Sequence, residues 1–143
     1  MALMAAGFVV PKGFCITTQA HAHWRQTGEI EDEVRAELSS WFRTLTGPLA
    51  VRSSSPVEDR ADASFAGQYQ TILGVRTEEE FFAALKACWQ SAQSASANSY
   101  ARSKGWDGEI QMAVVVQELV PATTAGVMFT MHPVSSRVDQ VVV

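Results

Sequence analysis

An apolar segment, Leu49-Ala50-Val51, runs directly into Arg52 and three hydroxyl residues, Ser53, Ser54 and Ser55. A strand over 49–53 therefore ends with a guanidinium fork beside small donors. The polar loop that follows reaches Gly67 and then Thr71, where a second strand over 70–75 begins. A planar, permanently charged guanidinium matches phosphate oxygens, and hydroxyl neighbours add donors. The segment 51–71 is thus a candidate phosphate-binding element without a P-loop. Glu58, Asp59 and Asp62 lie in the same loop and would repel a polyphosphate unless a divalent cation stands between. On the residues alone a second reading stays open, in which Arg52 pairs with Glu58 or Asp59 and pins a surface loop.

The rest of the chain alternates strands and helices. Gly7 ends a short helical start, and Pro11-Lys12-Gly13 leads into a strand over 14–17. Val34, Leu38, Trp41, Phe42 and Leu45 fall at helical spacing and predict a helix over 29–44, stopped by Gly47-Pro48. Thr77 followed by Glu80 is a capping box, opening a helix that extends to about residue 103. Its stripe of Phe82, Leu85, Trp89, Ala92, Ser96 and Tyr100 reads as core. Strands are expected over 112–120, 126–131 and 138–143. The fold class is α+β, a mixed and largely antiparallel sheet packed with helices.

With 143 residues, 47% of them apolar, the chain suffices for one domain with a real core. No apolar run approaches the length of a membrane span, and the start lacks the basic and apolar regions of a signal peptide. The formal charge of −4 and the lack of a basic, aromatic stripe argue against nucleic acid as a partner. Cys15 and Cys88 read as small buried hydrophobes in a reducing, cytoplasmic setting. His21 and His23 read as part of a solvated loop or helix start, with weak metal binding as the alternative, and His132 as a turn residue. No zinc-ligand cluster, catalytic triad or dinucleotide glycine motif is present, so no metal ligand and no catalytic residue is assigned.

Three stretches carry a family resemblance, in order along the chain. They are Ala5-Ala6-Gly7-Phe8-Val9-Val10-Pro11-Lys12-Gly13-Phe14-Cys15-Ile16-Thr17-Thr18, the arginine-serine-serine segment 51–71, and the pair 114–120 and 125–134. Together they resemble the N-terminal nucleotide-binding domain of the phosphoenolpyruvate synthase and pyruvate phosphate dikinase family, a domain that rifampicin phosphotransferases share. The resemblance implies an ATP-grasp-like domain that binds Mg·ATP and phosphorylates a histidine in another domain, with pyruvate as the final acceptor. A rifampicin-type kinase or a non-catalytic binding module are the alternatives.

Carried over residue by residue, the resemblance implies that Arg52 contacts the transferred phosphates. Gly67 would give the backbone a close approach to the nucleotide, Thr71 a hydroxyl to the same ligand, and Gln117 an amide near the adenine. On the residues alone Gly67 also reads as a turn glycine, Thr71 as a strand former and Gln117 as a sheet-edge residue facing water. Pro56 suggests a stiffer loop than in relatives, and Arg60 adds a cation without an assigned target. The resemblance also implies that 1–143 is a partial domain. The family's phosphate-binding lysine would precede it, and the magnesium-holding half would follow the apolar 138–143 edge.

Overall fold

The computed structural model describes residues 2–55, 69–94, 110–126, 128, 129, 131, 137 and 139. Among the described residues four helices, α1 (Ala2–Ala5), α2 (Thr18–Thr27), α3 (Asp32–Phe42) and α4 (Glu78–Ser91), accompany four strands. These are β1 (Gly13–Ile16), β2 (Leu49–Ser54), β3 (Thr71–Val75) and β4 (Ala113–Glu118). The strands form one sheet in the order β1-β4-β2-β3, and every pairing is antiparallel. The class is therefore α+β, as the alternation of elements predicts.

Period-two alternation divides the sheet into two unlike faces. Val51, Val114, Val116, Leu49 and Ile16 point to one side and are buried. Phe81, Leu85, Cys88 and Trp89 of α4 meet them there, all fully buried. Helices α4 and α2 both contact the sheet. Trp24 and His21 from α2 pack at a tilt against Trp89, with ring centroids 5.3 and 6.1 Å away.

Local chemistry sets the element ends. The Thr77 hydroxyl accepts the Glu80 amide at 3.1 Å, and the Glu80 carboxylate accepts the Thr77 amide at 3.1 Å, so the capping box is complete. Glu78 fastens α4 to α3: it accepts the Ser39 hydroxyl at 2.6 Å and an Arg43 N–H at 3.3 Å. Between β2 and β3 the register slips at Leu49/Ala50, where Leu49 faces Val75 but Ala50 faces Leu73. Gly74 is the extra residue, and its φ of +81° is a conformation that favours glycine at such a bulge.

Several expectations need correction. The helix expected over 29–44 is shorter, and a separate helix, α2, precedes it over residues that read as a solvated loop or helix start. His21 is accordingly 1% exposed rather than solvated, and its Nδ1 accepts the Met112 amide at 3.2 Å. Cys15 is exposed, not buried, because its strand position turns it away from the core. Helix α4 closes at Ser91 rather than near 103, since the Ser91 hydroxyl donates to the Cys88 carbonyl at 2.7 Å in a run of small polar residues. Residues 95–109, with Ser96 and Tyr100, lie outside the described residues, as do Pro56, Arg60 and His132. Of 126–131, Gly126, Met128, Phe129 and Met131 are described, and among these Phe129 alone sits in a bridge. Of 138–143 only Asp139 is described.

Candidate nucleotide face

The face of the sheet opposite the core carries the candidate residues. Cross-strand partners share a face, so the pairings define two neighbouring rows. One row reads Cys15, Val115, Arg52, Thr71 across β1, β4, β2 and β3. The next reads Gly13, Gln117, Ala50, Leu73. Arg52, Thr71, Gly13 and Cys15 are exposed, Leu73 is 62% exposed, and Gln117 is half-buried.

Arg52 and Thr71 are direct cross-strand partners, which sets their side chains about 5 Å apart at the root. Gln117 lies diagonally from Arg52, at roughly 7–8 Å by the same geometry. From Thr71 to Gln117 the span is two strand spacings and one two-residue step, roughly 12 Å. A charged donor, a hydroxyl and an amide thus line up on one open surface. Gly67, the remaining candidate, lies outside the described residues.

The strands holding these groups are fixed on both sides. The Ser53 hydroxyl donates to the Gln70 carbonyl at 2.9 Å, joining the strand after Arg52 to the residue before Thr71. Glu118, beside Gln117, accepts the Thr46 amide at 2.8 Å and its hydroxyl at 2.9 Å. Those bonds, with a smaller contribution from Lys12, hold its carboxyl below the ordinary value. Beneath Arg52, the Cys88 thiol donates to the Gln70 carbonyl at 3.5 Å, and burial pushes it up to about 11.

Sequence reasoning missed Gly13 as part of this surface. A Cβ there would lie 2.3 Å from the Val116 carbonyl oxygen and 2.7 Å from Gln117 Cγ. Only a residue without a side chain lets Gln117 lie against β1. The signal available was a glycine directly ahead of the expected strand over 14–17, and a glycine at a strand position marks close approach.

Among the described strand residues this face carries no carboxylate. Nor do the described residues include a group of three or more His, Cys, Asp or Glu placed to hold a metal. A magnesium ion, which binds through carboxylates and phosphates, does not fit these strands by themselves. A cavity of about 540 Å³ lies elsewhere, between α2, α3 and β1, and Arg52, Thr71 and Gln117 take no part in its lining.

The described residues include no helix long and apolar enough to cross a membrane. Residues 42–143 match the family model described as the pyruvate phosphate dikinase AMP/ATP-binding domain. The chain is 39% identical, over 90% of its length, to YvkC, an uncharacterised phosphotransferase of Bacillus subtilis. It is 49% identical over 66% of its length to a phosphoenolpyruvate synthase of Aeropyrum pernix. Over 99% of its length it is 34% identical to the prodigiosin synthesizing transferase PigC of Serratia marcescens. It spans 18%, 12% and 18% of these three proteins respectively. With more than half of its residues matched, the chain belongs to the pyruvate phosphate dikinase AMP/ATP-binding domain family.

Proposed function

We propose that this chain is the ATP-binding portion of a cytoplasmic phosphotransferase of the phosphoenolpyruvate synthase type. It would hold the nucleotide on its open sheet face while a phosphohistidine domain of the parent protein accepts the phosphoryl group. The observation that carries this reading is the placement of Arg52, Thr71 and Gln117 on one solvent-facing surface, with Arg52 and Thr71 as direct neighbours.

Each group has a separate task. The Arg52 guanidinium would grip phosphate oxygens and offset the charge that spreads over them in transfer. The Thr71 hydroxyl would donate to the same oxygens. The Gln117 amide can both donate and accept, which suits the hydrogen-bonding edge of a purine. Gly67 would let the loop backbone approach the ligand. Magnesium, when bound with ATP, would neutralise phosphate charge; its protein ligands are assigned to chain beyond these strands. In the parent protein, pyruvate would be the final acceptor, giving phosphoenolpyruvate, AMP and phosphate. A rifampicin-type acceptor, or a binding role without turnover, is the alternative. The name of the Serratia relative supports leaving the acceptor to another domain, since that transferase is named for a different product.

An NMR titration with Mg·ATP, on the chain and on Arg52→Ala, tests the reading. Saturable shifts at Arg52, Thr71 and Gln117, lost or weakened at least tenfold in the variant, are expected. Shifts indifferent to Arg52, or clustered on the core side of the sheet, would overturn the assignment.

A further inference from the structure

The cavity between α2, α3 and β1 is distinct from the nucleotide face and has its own chemistry. At about 540 Å³ it falls within the range of small-molecule sites. Its walls are apolar: Phe14 from β1, Ile30 before α3, and Val34, Leu38 and Trp41 along α3. Ala20 is the apolar residue that α2 contributes, and its single methyl group leaves the space between the helices unfilled.

Its charged side chains are acidic in the main. Glu29, Glu31 and Glu37 line it, no Lys or Arg does so among the described residues, and His23 is the single basic group. His23 Nε2 lies 3.1 Å from the Glu31 carboxylate, and among the described lining residues no Lys or Arg faces Glu29 or Glu37. Glu37 stands one turn before Trp41 and accepts its indole N–H at 3.5 Å. Trp41 is 50% exposed. A carboxylate and an accessible indole ring therefore sit together, the pairing that attracts an organic cation by charge and by the ring quadrupole. In the opposite wall Trp89 is fully buried, and its indole N–H has no acceptor among the described residues.

We infer that this cavity is a second binding site, for a small aromatic or branched apolar amine. The apolar body fills the gap beside Ala20, Val34 and Leu38. The ammonium group lies at Glu37 and Glu29 against the Trp41 ring. The inference does not depend on the nucleotide reading, because the two sites share none of their assigned residues.

The test uses 2-phenylethylamine, with 2-phenylethanol and 3-phenylpropionate as neutral and anionic compounds of similar shape. Binding is followed by the Trp41 indole signal in NMR and by titration calorimetry. The amine is expected to saturate the Trp41 shift, with the carboxylate at least about tenfold weaker. Glu29→Gln combined with Glu37→Gln should weaken the amine at least fivefold and leave the alcohol unchanged. Ala20→Leu should abolish binding of all three by filling the cavity. Because Glu29 and Glu37 are rim positions, the double variant keeps the test valid even if Ala20→Leu does not fold. Equal affinity for amine and carboxylate overturns the inference, as does an amine titration without a saturable Trp41 shift.

Discussion

The two cysteines carry opposite chemistry because neighbouring strands and helices turn them to opposite surroundings. Cys88 is fully buried beneath β2, and its thiol is raised from 9.0 to about 11 by burial. Thiolate is the reactive form, so two pH units leave it about a hundredfold less thiolate at a given pH. Cys15 is exposed at the edge of the candidate nucleotide face. A thiol reagent at pH 8 should therefore modify Cys15 first and Cys88 only on unfolding, as peptide mapping of timed samples would reveal. Equal labelling rates would contradict the burial of Cys88. Sequence could not separate these residues, since each sits in an apolar segment and only the facing of strand β1 or helix α4 decides. His21 departs from its sequence expectation for a related reason. Its polar neighbours suggested solvent, but tertiary packing against Trp24 and Trp89 recruits the ring into the core.

At the scale of elements, legibility follows how local the determining contact is. The capping box of α4 was readable because Thr77 and Glu80 need only each other. Thr77→Ala should cost about 1 kcal/mol, measurable as a lower urea midpoint. Helix α2 was not readable: its apolar stripe amounts to Ala20 and Trp24, and no side chain caps its start. Its one local signal was Gly28, which ends it at a φ of +77°.

Three carboxylates tie elements together, and each is held below its ordinary value near 4.5. For Glu78 the main cause is the Ser39 hydroxyl, for Glu80 the Arg76 amide, and for Glu118 the Thr46 amide. A carboxyl that binds its proton less tightly when folded contributes stability above the ordinary value. That contribution is lost as pH falls through the lowered value. Stability should thus hold from pH 7 to about 5 and decline below 4.5. Glu118→Gln should be less stable than the parent at pH 7 and converge with it at pH 3, in urea midpoints taken at both. A constant difference across that range would remove Glu118 from the account.

For the whole molecule, the decisive property is which residues share a sheet face, and that is set by strand order rather than by any one segment. The sequence offered four of the strands and the alternation within them. It could not tell that β4 inserts between β1 and β2, because those pairings join segments roughly a hundred and roughly sixty residues apart and depend on loop closure and core packing. The family resemblance named Arg52, Thr71 and Gln117 without showing that they are neighbours; the register does so. Gly13 then becomes the test of the arrangement. A Cβ at this position meets the backbone oxygen of Val116 at 2.3 Å, and backbone inside a ladder cannot move aside as a flexible side chain would. Gly13→Ala must push β1 away from β4, at a cost on the order of 1–3 kcal/mol. Amide exchange should report it as lost protection at Phe14 and Ile16, with the amides of β2 and α4 still protected. The same displacement should disturb Gln117, which lies against Gly13, before it reaches Arg52 two strands away. Weakened nucleotide binding with the Arg52 shifts retained is therefore expected, and a variant as stable as its parent would mean that β1 does not lie in this register.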